Sequence, residues 1–153
     1  INYIEEQSPL GTAGSLALLS PRPEQAFVVT NGDVLSDINY GELVDFHRRH
    51  DCAGVMAVRI HEWINPFGVV QMDGINITGF VEKPISQSYI NAGIYALSPS
   101  ALDELQGKNH CDMPTLFDNL RNKNQRIVAY PMHEPWLDVG RPHDLKHANA
   151  TLT

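Results

Sequence analysis

Phe27-Val28-Val29-Thr30-Asn31-Gly32-Asp33 is an apolar run of strand formers that stops abruptly at Asn-Gly-Asp. A run so short, apolar and β-branched reads as a strand buried on both faces of a parallel sheet. Open α/β sheets bind ligands outside the carboxyl ends of their strands, so the small polar residues that follow stand where a ligand would. Gly32 lets the backbone come close to such a ligand, and Asp33 offers hard oxygens suited to Mg²⁺. Taken alone, Asn31-Gly32 is equally an ordinary turn, because that dipeptide is common in turns.

Upstream, Asn2-Tyr3-Ile4 reads as a short strand. Leu10-Gly11-Thr12-Ala13-Gly14 reads as a small-residue loop leading into a short helix over Ser15–Leu19. Its backbone could meet a flat ligand, or the small residues could serve only packing. Downstream, Asn39–His50 carries Leu43, Val44, Phe46 and His47 near helical spacing, with Asp45, Arg48 and Arg49 free to face water. Val55–Ile60 is the next strand. His61–Pro66 reads as a long excursion carrying Trp63, of the kind that often holds binding residues. Phe67–Met72 and Ile77–Glu82 form a hairpin about Asp73-Gly74. Pro84 is expected to hold Lys83 extended at the strand end.

Tyr89–Leu97 is a further apolar strand. Gly93 within it suggests a bulge or a close backbone approach. Asn91, if buried, needs partners for its amide. Ser98-Pro99 starts a helix ending near Gly107, with Ser98 as its cap. A second helix runs from Asp112-Met113-Pro114 to about Lys123, with Leu116, Phe117 and Leu120 as its stripe. Arg126–Pro131 is a strand, Pro135–Gly140 a short extended segment, and Arg141-Pro142 opens a last helix through about Ala150. Strands alternate with helices and a hairpin follows, so the sheet should be mixed.

Length and charge narrow the options. A chain of 153 residues supports one domain with a real core. Eleven basic against eighteen acidic residues give a net charge of −7 with no basic stripe, which argues against a nucleic-acid partner. A phosphate substrate would then need a metal, a lysine or backbone N–H groups. Apolar runs are too short to span a bilayer and no signal peptide is visible, so a cytoplasmic location away from membranes is expected. Cys52 and Cys111 match no metal or redox spacing.

Six short motifs then occur in order along nearly the whole chain: Leu10–Gly14, Asn31-Gly32-Asp33, Phe67-Gly68-Val69-Val70, Glu82-Lys83-Pro84, Asn91–Tyr95 and Trp136-Leu137-Asp138-Val139-Gly140. Together they resemble the sugar-1-phosphate nucleotidyltransferases, in particular the mannose-1-phosphate guanylyltransferase-like branch. The resemblance implies a Rossmann-like α/β/α sandwich with a mixed, mainly parallel sheet. It implies that a nucleoside triphosphate and a sugar 1-phosphate give a nucleotide-sugar and pyrophosphate, for polysaccharide or glycoconjugate synthesis. By motif, the Leu10-Gly11 backbone would meet the base, beside Asn31-Gly32. Asp33 and Asp138 would share Mg²⁺. Gly68, Glu82 and Asn91 would contact sugar hydroxyls, Lys83 the sugar phosphate, and Trp136 would form the sugar wall.

The family's opening strand and basic glycine-rich loop have no match here. The expectation is therefore that residues 1–153 are an N-terminally truncated nucleotidyltransferase domain from a parent enzyme, inactive alone. The family's first strands would fit between Asn2–Ile4 and Phe27–Thr30, so the exposed edge should drive self-association. The alternative is a non-catalytic sugar-phosphate or nucleotide-sugar sensor on the same fold.

Overall fold

The structure, a computed structural model, describes residues 1–107 and 110–140. Along the chain lie α1 (Gly11–Gly14), β1 (Phe27–Thr30), β2 (Val34–Ser36), α2 (Tyr40–His50), β3 (Gly54–Ile64), β4 (Val69–Asp73), β5 (Asn76–Val81), β6 (Ile85–Leu97), α3 (Met113–Asn122), β7 (Ile127–Pro131) and β8 (Trp136–Asp138). Ser15–Leu18 and Pro99–Leu105 are 3₁₀ turns. The helix anticipated from Arg141 lies outside the described residues.

The main sheet has the order β1-β6-β3-β7. β1, β3 and β7 run the same way, but β6 runs against them and sits between β1 and β3. The sheet is mixed as expected, yet among the described residues only β3–β7 is a parallel pair, so neighbour pairing is mostly antiparallel rather than mainly parallel. The reason is the route into β6. The chain returns from β3 through the β4–β5 hairpin, with no crossover helix, and so pairs antiparallel.

The strand buried on both faces is β6, not Phe27–Thr30. Its Tyr95 and Leu97 join one apolar cluster with Leu116, Phe117 and Leu120 of α3. Its Ala92, Ile94 and Ala96 join another with Leu43 of α2 and Val55 of β3. That alternation is the two-residue period of a strand between two helical layers. Among the described residues β1 has a strand on one side only, and it is half-buried with Thr30 exposed. Cys52 and Cys111 are buried in different clusters.

Local chemistry explains the helices. Asn39 caps α2, its side-chain oxygen accepting from the N–H groups of Gly41 and Glu42. α3 is capped from a distance: Thr12 Oγ1 accepts the Met113 N–H at 2.8 Å. Asp112 Oδ1 in turn accepts the Thr12 N–H at 3.1 Å. Ser98, by contrast, makes no side-chain cap.

Three other expectations are corrected. Residues 1–6 contain no strand, because no neighbour among the described residues pairs with them; Ile1 and Tyr3 are exposed. Leu10–Gly14 is mostly a helical turn rather than a loop. His61–Ile64 continues β3, paired residue by residue with Ile85–Ser88 of β6. This ribbon leaves the core, so both of its faces meet water and Trp63, Ile64, Ile85 and Tyr89 are exposed. The β4–β5 hairpin adds exposed Phe67, Ile75 and Phe80.

Ser98 is engaged elsewhere. Its hydroxyl donates to the Cys52 carbonyl at 3.0 Å and so accepts from His47 Nε2 at 3.1 Å. Buried His47 then has no hydrogen-bond partner for Nδ1 among the described residues. Burial lowers its pKa; the Ala53 backbone opposes this, Arg48 lowers it further and Asp51 opposes. A folded value below the unfolded one means that folding favours the neutral ring. The contribution is fully present above about pH 6.5 and is lost as pH falls from there through the folded value. Urea unfolding at about pH 7.5 and about pH 5.5 should therefore show a larger acid loss in the wild type than in His47→Gln. Equal losses would remove His47 from the account.

Candidate active site

β2 and β8 pair antiparallel, with Val34 opposite Asp138 and Ser36 opposite Trp136. The Val139 N–H donates to the Asp33 carbonyl at 2.8 Å. This small ladder brings Asp33, which precedes β2, beside Asp138, which ends β8. Their carboxylates converge on Gly140. A Cβ placed there would lie 2.9 Å from Asp33 Oδ2 and 3.0 Å from Asp138 Oδ1. Gly140 is thus the residue whose missing side chain leaves the space between two carboxylates, and its N–H donates to Asp138 Oδ1 at 2.8 Å.

Among the described residues no group of three or more His, Cys, Asp or Glu gathers at one point. The protein donor set is two exposed carboxylates. That set fits a hard dication such as Mg²⁺, which commonly takes one or two carboxylates and completes its shell with water and phosphate oxygens.

Beside Asp33 opens a cleft of about 500 Å³, lined by Gly11, Thr12, Ser15, Thr30, Asn31, Gly32 and Asp33. Leu10 is not among the lining residues but precedes one of them, Gly11; its N–H is held by Glu6 Oε2 at 2.9 Å and its carbonyl by the Cys111 N–H at 2.8 Å. A Cβ at Gly32 would meet only open space, so that backbone is accessible from the cleft.

The next group hangs on a bulge in β6. Met56 faces Tyr95 and Val58 faces Asn91, so β6 carries two extra residues there. Gly93 has φ +72°, and a Cβ on it would stand 3.0 Å from Asn31 Nδ2 and 3.1 Å from Val34 Cγ2. The bulge inferred from Gly93 is present, and glycine is required by both conformation and space. Asn91 is not a core asparagine; it is exposed. Its Oδ1 accepts the Gly93 N–H at 2.9 Å and its Nδ2 donates to the Tyr95 hydroxyl at 2.7 Å. Burial raises the Tyr95 pKa, with Asn91 opposing, which keeps the phenol neutral. Trp136 is half-buried against the bulge, its Nε1–H donating to the Ala92 carbonyl at 2.8 Å.

The third group lies at the base of the hairpin. Glu82 reaches over Gly68, its Oε2 3.0 Å from where a Cβ would be. Lys83 is not extended: its φ is +44°, a left-handed value rare for lysine. Glu82-Lys83-Pro84 is the break where the β4–β5 ladder gives way to the β3–β6 ladder: Val69 pairs with Val81 and Ile64 with Ile85, so residues 65–68 face the shorter stretch 82–84, and that mismatch outweighs the preference imposed by Pro84. Lys83 enters no ion pair among the described residues. No hydrogen bond or ion pair there links Gly68, Glu82 or Lys83 to Asp33 or Asp138, so the structure gathers the site residues as three groups.

Gly140 has no role legible in the sequence, although it stands inside the Trp136–Gly140 motif. Thr12, Ser15 and Thr30 carried no signal beyond being small and polar. Arg59 carried none at all; its guanidinium lies 5.3 Å from the Trp136 ring centroid.

With this geometry in place, the chain can be compared with known proteins. The Nucleotidyl transferase family model matches residues 1–153. The chain belongs to that family. It is 38% identical over 149 residues to a mannose-1-phosphate guanylyltransferase catalytic subunit beta from Drosophila pseudoobscura pseudoobscura, covering 93% of this chain and 40% of that protein. It is 35% identical over 153 residues to a mannose-1-phosphate guanyltransferase from Candida albicans, covering 94% and 42% respectively. The chain thus spans about two fifths of the length of these curated relatives. HddC from Yersinia pseudotuberculosis, solved as a complex with GMP-PN, superposes with a TM-score of 0.70 at 22% identity, covering 98% of this chain and 66% of that one. A putative glucose-1-phosphate thymidylyltransferase from Bacillus anthracis gives 0.69 at 22%, covering 97% and 63%. These two establish the shared fold.

Proposed function

We propose that this chain supplies the metal and sugar-phosphate parts of a sugar-1-phosphate nucleotidyltransferase. The observation that carries the reading is the convergence of the Asp33 and Asp138 carboxylates at Gly140 in a nucleotidyl transferase family member. Guanosine triphosphate and mannose 1-phosphate are the proposed substrates, on the strength of the guanylyltransferase relatives.

In this reaction a phosphate oxygen of the sugar 1-phosphate attacks the α-phosphorus. The bond from that phosphorus to the bridging oxygen breaks, and pyrophosphate leaves with the electron pair. Such transfers need positioning and charge stabilisation rather than a side-chain nucleophile. Asp33 and Asp138 would hold Mg²⁺, which when bound would supply neutralisation of charge at the α-phosphate. Asn31-Gly32 and Leu10-Gly11 border the cleft that takes the nucleotide. Asn91, Glu82 and Gly68 meet the sugar hydroxyls, Trp136 borders the sugar, and Lys83 pairs with the sugar phosphate.

The basic glycine-rich loop that grips a triphosphate has no counterpart in the sequence, so the chain alone is proposed not to turn over. Assays belong in the longest natural polypeptide that carries it. Self-association, a cytoplasmic setting and a role in polysaccharide or glycoconjugate synthesis complete the proposal. No helix among the described residues is long and apolar enough to cross a membrane.

Lys83→Ala tests the sugar-phosphate assignment. A charge-assisted contact to phosphate contributes about 1.5–3 kcal/mol, so sugar-phosphate use should weaken roughly 10- to 100-fold while triphosphate binding holds. An unchanged apparent affinity for the sugar phosphate would return Lys83 to the status of a solvated lysine.

A further inference from the structure

Two facts about Trp136 do not suit a side chain whose main work is to line a sugar pocket. Its indole N–H is spent on a backbone carbonyl, that of Ala92 within the β6 bulge, at 2.8 Å. Its ring also carries the Arg59 guanidinium, 5.3 Å from the ring centroid, with Arg59 Nη1 3.5 Å from the Trp136 carbonyl.

The adjacent bulge residue makes a matching contact on the other side. The Gly93 carbonyl accepts the Asn31 N–H at 2.8 Å. Trp136 stands two residues before Asp138, and Asn31 two residues before Asp33. Two successive carbonyls of one bulge therefore hold the two segments that carry the paired carboxylates. A strand slips in register easily when it is short, and β8 has only three residues. A hydrogen bond outside the β2–β8 ladder fixes that register.

We infer that Trp136 is a positioning residue: anchored to the Ala92 carbonyl and backed by Arg59, it registers β8 on the bulge so that Asp138 meets Asp33. Asn31 does the same for Asp33 through Gly93. This rests on the proposed role of the two aspartates in holding a dication. It adds that the geometry of the pair is set by an indole N–H donor and not by the carboxylate segments alone.

Trp136→Phe separates these ideas, because it keeps an aromatic ring and removes the donor. Mn²⁺ is the probe, its binding to the purified chain followed by electron paramagnetic resonance beside Asp138→Asn. Trp136→Phe should bind Mn²⁺ about 3- to 10-fold more weakly than wild type, the range expected for one lost hydrogen bond. Arg59→Met should weaken binding in the same direction, and Arg59→Lys should restore most of it by retaining a cation over the ring. Thermal unfolding of each variant identifies any that fail to fold; Arg59→Met then carries the test if Trp136→Phe does not fold.

In the longest natural polypeptide, the Mg²⁺ concentration for half-maximal rate should rise in Arg59→Met, which leaves the Trp136 ring in place, with the KM for sugar 1-phosphate unchanged. A risen KM with unchanged Mg²⁺ requirement would overturn the inference and leave Trp136 as a wall. So would wild-type Mn²⁺ binding in both folded variants when Asp138→Asn has lost it. A wild-type chain that binds no Mn²⁺, or Asp138→Asn binding it as wild type does, would defeat the shared dication itself and this inference with it.

Discussion

Asp33→Asn is expected to lower the turnover of nucleotidyl transfer by about 100- to 1,000-fold, the range seen when one group that stabilises transition-state charge is removed. The substitution is nearly isosteric. It keeps an oxygen at the site and removes a negative charge, so any loss reports electrostatics rather than packing. The Asp33 backbone, which accepts the Val139 N–H at 2.8 Å, is untouched, so the β2–β8 register should survive. Gly140→Ala provides the converse test. Both carboxylates remain, but the added methyl would lie 2.9 and 3.0 Å from their oxygens, closer than carbon and oxygen normally pack. The carboxylates must part, and turnover should fall in the same direction with a raised Mg²⁺ requirement. Rate assays over a Mg²⁺ series decide the matter. Wild-type turnover in Asp33→Asn would show that this pair does not carry the reaction, whatever the family resemblance.

The parts of the fold legible in the sequence are those whose signals are local. α2 and α3 announce themselves through Asn39, Pro114 and their apolar stripes, and the β4–β5 hairpin through Asp73-Gly74. Cross-chain arrangements were hidden. Phe27–Thr30 has the composition of a central strand, but which strand is central depends on pairing, and composition does not encode pairing. His61–Ile64 looked like a loop because its residues alternate neither in polarity nor in burial. It is strand because Ile85–Ser88 pairs with it. Pro84 favours an extended Lys83, yet the mismatched break between the β4–β5 and β3–β6 ladders, where residues 65–68 face 82–84, holds it at φ +44°. Such outliers persist when the surroundings over-determine them. In the site, the aspartates were legible as isolated acidic residues among apolar ones. Their convergence on Gly140, and the hold of Ala92 on Trp136, are tertiary facts with no local signature.

The purified 153-residue chain is expected to self-associate, and the edge of β1 is where. β1 pairs with β6 on one side and has no strand on the other among the described residues. The Asn31 N–H points to β6, donating to Gly93, so by the alternation of an antiparallel ladder the N–H groups of Val28 and Thr30 point outward. The strand Phe-Val-Val-Thr carries none of the devices that blunt an edge, having no charge, no proline and no bulge of its own. Because β1 is half-buried, water reaches its outer groups, and the drive to pair is smaller than full burial of unpaired groups would give. The apolar ribbon and hairpin add to it, with Trp63, Phe67, Ile75 and Phe80 all exposed. Light scattering from about 1 μM to about 1 mM should show growing mass, the range in which exposed edges associate. Val28→Lys should suppress most of it, since a lysine at an edge disfavours a second strand. Hydrogen exchange supplies the residue-level test. The Asn31 amide should be protected at every concentration, whereas the Val28 and Thr30 amides should gain protection only where mass has grown. A concentration-independent monomer with freely exchanging Val28 and Thr30 amides would rule the edge out as an association surface.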